Sequence, residues 1–431
     1  MLPAKRVTAI LLVLGTALTI YWQPLGRSFA LKASDVAFVI AIGIWMLSFA
    51  RERRPRGFVA AEVMFIPPLL ASVLVATLFA YAHYHLGMSR NGTILLARLV
   101  TCIALFLTVR NLLLDDPSFR QKLGLAFLSP LALFPAMLIP KISVAMWDPI
   151  GRLQGLTVNA NTAAVGYLIA FALAYTLTGY EVGGNRHRRA LALFIVTIAM
   201  LALVLWTQSR AYFVAAFAAA VLGTVVVAQH HRLSTLKLAV AVSGGFALIV
   251  VGLFLLQPRA LAIAQLIRIS PAYRAFDVPV PEPKAPPPGW RWTVKNVQQV
   301  VEGSLQKVEG DSRMAGIRYY STLLAANYWG LGLNYETKFA MENAPTKTRE
   351  GTNTILDIPV YGGIGAVLSL AYLGVLIAKR TRRNLSQPVD ENVPYTMGAV
   401  IALAGLWVAA CLVGSPLFDY QFWILAAIAL D

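Results

Sequence analysis

Charge is scarce in this sequence. Asp, Glu, Lys and Arg together make up 13% of its 431 residues, against about 25% in an ordinary globular domain. Acidic residues are the scarcer sign, 20 against 37 Lys and Arg. There are two cysteines, Cys102 and Cys411, both inside apolar runs, and five histidines. That excludes a disulfide framework and a Cys-based metal site, and argues against a His-rich metal centre. A Gly-rich phosphate loop ending in Lys-Ser/Thr and a His-Glu-x-x-His helix are also missing. No metal and no cofactor is therefore expected. No internal repeat stands out, which counts against a secondary transporter built from related halves.

What is abundant is apolar sequence, 58% of the residues, with a mean hydropathy of +0.65. A helix crossing a bilayer needs about 20 predominantly apolar residues. Candidate spans lie at 7–22, 34–50, 58–80, 93–110, 123–140, 163–180, 190–207, 211–228, 238–256, 354–378, 395–414 and 418–430, the last being short. The expected fold is all-α: a polytopic transmembrane bundle of about twelve spans. The first run lacks a clear small-residue cleavage site and is taken as a retained span.

The basic residues alternate between loops. Lys5 and Arg6 share a side with Arg51, Arg53, Arg54 and Arg56, then Arg120 and Lys122, Arg186, Arg188 and Arg189, Arg232 and Lys237, and Lys379, Arg380, Arg382 and Arg383. The opposite loops hold scattered cations such as Arg27, Lys32, Arg90, Lys141 and Arg152. By the positive-inside rule the N-terminus is cytoplasmic, and the net charge of +17 needs no nucleic acid to explain it.

One connection is long. Residues 257–352 lie on the non-cytoplasmic side and separate an N-terminal membrane bundle (1–256) from C-terminal membrane helices (353–431). They contain the proline tract Pro279–Gly289, which cannot be helical. Val294, Val297, Val301, Leu305 and Val308 then recur at helical spacing, and a second helix is expected from Asp311-Ser312 to Gly330. The segment should thus form a helical subdomain over the outer face of the bundle.

Arginines beside apolar spans are the candidate functional groups, because an ionised group in lipid is costly. Arg210, in Thr207-Gln-Ser-Arg-Ala-Tyr212, joins two apolar runs with almost no loop. It either snorkels to the interface or grips a phosphate or diphosphate through its planar fork. Arg313 opens the second loop helix, where an anion would meet the helix dipole. Arg318 and Arg291 either bind substrate or form a solvated face and headgroup anchors. Arg98 either snorkels outward or lines a polar cavity. Asn159 and Asn161 sit in a small polar turn before the sixth span, which reads as a site or as an ordinary helix cap.

Several stretches together resemble the O-antigen ligase and polysaccharide polymerase superfamily. They are Thr207-Gln-Ser-Arg210-Ala, Asp311-Ser-Arg313, Tyr328-Trp-Gly330-Leu-Gly332, Thr352-Asn353-Thr-Ile-Leu356-Asp-Ile with Tyr361-Gly-Gly-Ile-Gly365, and the polar turn Asn159-Ala-Asn161-Thr-Ala. The resemblance implies a bacterial inner-membrane enzyme with its large loop in the periplasm. Such an enzyme moves a glycan from undecaprenyl diphosphate to an acceptor hydroxyl, inverting the sugar carbon without a metal. The acceptor would be a growing glycan or lipid A-core; membrane lipids, and a chain-length regulator or other assembly proteins, would be further partners. Arg210 and Arg313 match the arginines thought to hold the diphosphate. The ligase branch carries a Ser-His-Asn motif where this sequence has Gly351-Thr352-Asn353. A threonine hydroxyl cannot act as a base near neutral pH as histidine can. Either a carboxylate such as Glu342 or Glu350 takes that role, or the arginine-stabilised leaving group needs no strong base. The missing histidine favours a polymerase over a ligase; a lipid-linked glycan flippase is the reading from another class.

Overall fold

The computed structural model describes residues 3–19, 33–51, 60–84, 90–139, 146, 153, 155, 160–207, 209–231, 328–333, 354–411 and 418–431. Among the described residues there is helix and no strand. The helices are α1 (Pro3–Leu18), α2 (Ala33–Arg51), α3 (Ala60–Val63), α4 (Ile66–Tyr84), α5 (Arg90–Asp115), α6 (Phe119–Phe127), a 3-10 turn (Ser129–Ala132), α7 (Leu133–Met137), α8 (Ala160–Gly183), α9 (His187–Trp206), α10 (Arg210–His230), α11 (Thr354–Leu385), α12 (Val393–Ala410) and α13 (Tyr420–Ala429).

Seven of them, α2, α5, α8, α9, α10, α11 and α12, are long and apolar enough to cross a membrane. Leu47, Leu78, Leu191, Ile195 and Leu368 expose between 61% and 66% of their surface, a face that suits lipid and not water. The chain is a membrane-embedded helical protein, with seven candidate spans among the described residues, against about twelve expected from hydropathy over the whole sequence.

Two of the expected runs are interrupted locally. The run 123–140 is broken into α6, the 3-10 turn and α7, because Pro130 opens the turn and Pro135 falls within α7, each removing a backbone donor. The run 58–80 divides at Met64–Phe65, and α4 restarts with Pro67 and Pro68 in its first turn, where no intrahelical donor is needed. The run 418–430 does form a helix, but the ten residues of α13 reach only about 15 Å, half a bilayer. The candidate span 238–256 and most of the large loop lie outside the described residues.

α8 forms the axis of the bundle, packed by α9, α10 and α12. Tyr167 to Ala174 is buried without interruption, as a helix apolar on all sides must be. Close approach relies on small residues, as membrane helix packing generally does: Gly398 of α12 meets Leu173, and Gly405 meets Ala219 of α10. α13 is likewise buried along its whole length and lies on α5 and α12.

Polar contacts gather the basic helix ends at one end of the bundle. Lys5 pairs with Asp115 at 2.7 Å. Arg110 pairs with Glu62 and, at 3.2 Å, with Asp431; Arg120 also pairs with Asp431. Arg380 donates from Nε to the Asp431 carbonyl oxygen at 2.8 Å, so three arginines hold the foot of α13. Beside them His230 Nε2 lies 3.0 Å from the Gln387 carbonyl oxygen and Nδ1 lies 2.9 Å from the Tyr180 hydroxyl. A carbonyl only accepts, so His230 donates from Nε2, and its Nδ1 shares a hydrogen bond with the Tyr180 hydroxyl.

The adjacent His231 packs where Gly183 has no side chain. Burial, then the neighbouring His230, hold its imidazole below the ordinary range. The unfolded chain therefore takes up this proton first as pH falls through about 6.5. His231 is neutral and harmless above that point and opposes folding below it. The apparent melting temperature should fall between about pH 7.5 and 5.5, and His231→Leu should flatten part of that slope; an unchanged slope would show that His231 does not contribute.

Candidate functional site

The end opposite the basic one carries a polar cluster between α2, α5 and α13. Arg98 and Arg110 share α5 twelve residues apart, so Arg98 lies about 18 Å above the basic layer. Its guanidinium carbon stands 5.3 Å from the centroid of the Tyr420 ring, a cation–π distance. Its Nε is buried and has no hydrogen-bond partner among the described residues. Tyr420 shares a side-chain hydrogen bond with Asp35 and packs edge-on against Phe38 at 5.2 Å.

Asp419 caps α13, its Oδ1 accepting from the Gln421 backbone N–H at 2.9 Å. Gln421 in turn donates to Thr19 Oγ1 at 2.7 Å, which ties the end of α1 into the cluster. Thr16 Oγ1 and Ser34 Oγ are buried nearby in sequence on α1 and α2, without a partner among the described residues. One turn below Arg98, the buried Cys102 lies within electrostatic reach of Arg98, Asp35 and Asp419.

Asp419 also acts electrostatically on Tyr212, two residues into α10. The helix begins at Arg210, with Ser209 in extended geometry as its N-cap, no side-chain cap bond and no acidic residue in the first turn. Its first-turn N–H groups and dipole favour an anion. Asp419 thus links the Arg98 cluster to the start of α10.

A second irregularity lies at the same end. α11 is interrupted at Gly362 and Gly363, the latter at φ 59°, ψ −159°, a region that only glycine occupies readily. The turn Tyr328–Leu333 fills the break. Leu331 and Gly332 donate to the Val360 carbonyl oxygen at 2.7 and 3.2 Å, and Ile364 donates to the Tyr328 carbonyl oxygen at 3.0 Å. Leu333 N–H donates to Thr77 Oγ1 of α4 at 3.2 Å. Non-helical backbone at membrane depth has to be satisfied by protein in this way.

Of the residues expected from sequence, the structure places Arg98 in the cluster, Arg210 at the first position of α10 and Asn161 in the first turn of α8. Asn159, Arg291, Arg313, Arg318, Glu342, Glu350, Thr352 and Asn353 lie outside the described residues. The sequence does not single out Tyr420, Gln421 or Tyr212. The available signal was a carboxylate followed by aromatics inside an apolar run, Phe418-Asp-Tyr-Gln-Phe-Trp423.

No protein-family model matches this chain, and no curated protein matches it.

Proposed function

We propose that this protein is an inner-membrane polysaccharide polymerase, transferring glycan repeat units from undecaprenyl diphosphate to a growing chain at the periplasmic face. The observation that carries the reading is the start of α10, an arginine at the first position of a 21-residue helix whose N-cap makes no side-chain hydrogen bond. Guanidinium and helix dipole together suit a diphosphate. The basic end faces the cytoplasm in this reading, which turns Arg98, Asp419 and the start of α10 toward the periplasm.

The acceptor hydroxyl attacks the anomeric carbon, the bond from that carbon to the phosphate oxygen breaks, and the diphosphate leaves with its charge held by Arg210 and Arg313. Arg98 supports the same anion from below, with Arg291 and Arg318 contributing from the loop. Asn159 and Asn161 hold sugar hydroxyls. Thr352 and Asn353 present the acceptor, and Glu342 or Glu350 receives its proton where a base is required. Removing one preorganised donor to developing charge costs about 10²–10³ in rate. Arg210→Ala should therefore eliminate detectable polymer at unchanged protein level, and wild-type polymer would remove Arg210 from the mechanism.

A gel profile of surface glycans from a deletion strain tests the class. Single repeat units on the acceptor indicate a polymerase, whereas undecaprenol-linked polymer beside a bare acceptor indicates a ligase. The gathering of Asp35, Arg98 and Asp419 within the bundle favours a lipid-linked glycan transporter as the second reading. In that case undecaprenol-linked single units would accumulate on the cytoplasmic side.

A further inference from the structure

Tyr328 and Trp329 stand out among the described residues because they are exposed while the chain that carries them is fixed. They expose 60% and 49% of their surface, whereas Leu331 and Leu333, two to five residues on, expose 1% each. Their rings lie side by side, 5.0 Å between centroids at 39°. Their backbone is held by the Tyr328 carbonyl bond to Ile364 and by the Leu331 and Gly332 bonds to Val360.

The positions next to them admit glycine alone. Gly330 has φ 86° and Gly332 φ 65°. A methyl group on Gly330 would come within 2.5 Å of the Gly363 nitrogen, and one on Gly332 would enter the Thr77 backbone. Gly363 in turn makes room for the Tyr328 and Trp329 carbonyls. The two rings are therefore mounted on a rigid ledge made from left-handed backbone and a broken helix.

A side chain that merely anchors a protein at the lipid interface works equally well on an ordinary helix turn. A rigid, paired aromatic surface with polar tips is what a ligand with one apolar face and a hydroxylated rim requires. The axial C–H face of a pyranose has that character. We propose that the Tyr328–Trp329 ledge is a glycan subsite, on which a sugar ring of the lipid-linked repeat unit stacks while its diphosphate is held elsewhere. This assignment rests on the glycosyl-transfer reading and names the part of the substrate that the ledge recognises.

The test uses the full-length protein in nanodiscs, with the oligosaccharide released by mild acid from the carrier-lipid fraction of the same bacterium as probe. Trp329→Ala and Tyr328→Ala should each weaken its binding by about tenfold or more, and Trp329→Phe should recover most of it. Emission of Trp329, taken as the difference between wild type and Trp329→Phe, should change on adding the oligosaccharide and be little quenched by acyl-brominated phosphatidylcholine. Wild-type affinity in Trp329→Ala together with strong quenching by the brominated lipid would overturn the proposal and make the pair a membrane anchor. A wild-type protein that makes polymer in cells yet shows no Trp329 response to the oligosaccharide would also overturn it, leaving glycosyl transfer intact. A deletion strain with unaltered surface glycans would overturn the glycosyl-transfer reading itself. Monodisperse elution and an unchanged melting temperature of Trp329→Ala separate lost binding from lost folding.

Discussion

Gly363→Ala is expected to prevent accumulation of folded protein. At φ 59°, ψ −159° an alanine is strained by about 1–3 kcal/mol before any contact is counted. Its methyl group would also meet the Tyr328 carbonyl oxygen at 2.6 Å, with the Trp329 carbonyl closer still. These are backbone atoms on the segment that satisfies the break in α11, so relieving the clash breaks the bonds to Ile364 and Val360. Bared backbone groups at membrane depth cost several kcal/mol each, and the sum exceeds the margin of an ordinary native state. Gly374→Ala is the matched control. It lies in the same helix, nothing stands within 4 Å of the added methyl, and it should be neutral or stabilising by about 1 kcal/mol. Size-exclusion profiles of detergent extracts read both variants; a monodisperse Gly363→Ala protein in wild-type amount would show that the α11 break is not required for folding.

Replacing Arg110 by Met should be nearly as damaging, for an electrostatic reason. The arginine side chain is 3% exposed and its partners Glu62 and Asp431 are 20% and 10% exposed. Removing one member of a buried ion pair leaves an uncompensated charge and costs about 3–5 kcal/mol. Asp431 keeps Arg120 as a partner, so the loss falls chiefly on Glu62. Arg110→Met with Glu62→Gln should consequently recover much of the single-variant loss, with a coupling of about 1–3 kcal/mol. Strictly additive effects on the melting temperature would mean that the pair contributes nothing of its own. Because this network holds the foot of α13, Arg110→Met should also weaken the Asp419–Gln421–Thr19 contacts at its head. On the proposed polymerase reading, a lower polymer yield per folded molecule would register that change.

Much of the bundle was legible because lipid imposes a simple rule. An apolar run long enough to cross it becomes a helix, and α2, α5, α8, α9, α10, α11 and α12 follow the hydropathy of their sequences to within a few residues. The prolines that fragment 123–140 were visible in the sequence but were outweighed by its hydropathy. α13 was legible as apolar but its role was not, since composition does not distinguish a helix buried in protein from one that meets lipid. Arg210 and Arg98 stand out as candidates because arginine in an apolar context is conspicuous. Tyr420 and Gln421 were hidden because their partners Arg98, Asp35 and Thr19 lie hundreds of residues away along the chain.

Composition and order of residues alone determined that this chain is helical and membrane-embedded, and that its cations collect at alternate helix ends. Those properties depend on transfer of each segment from water to lipid, which is a sum over local sequence. Only the tertiary structure decided that Arg110, Arg120 and Arg380 converge on one aspartate, that Arg98 meets the tip of a half-length helix, and that a six-residue turn closes a broken one. Those depend on which helices are neighbours, and neighbours are chosen by packing of small residues and pairing of buried polar groups across the whole bundle.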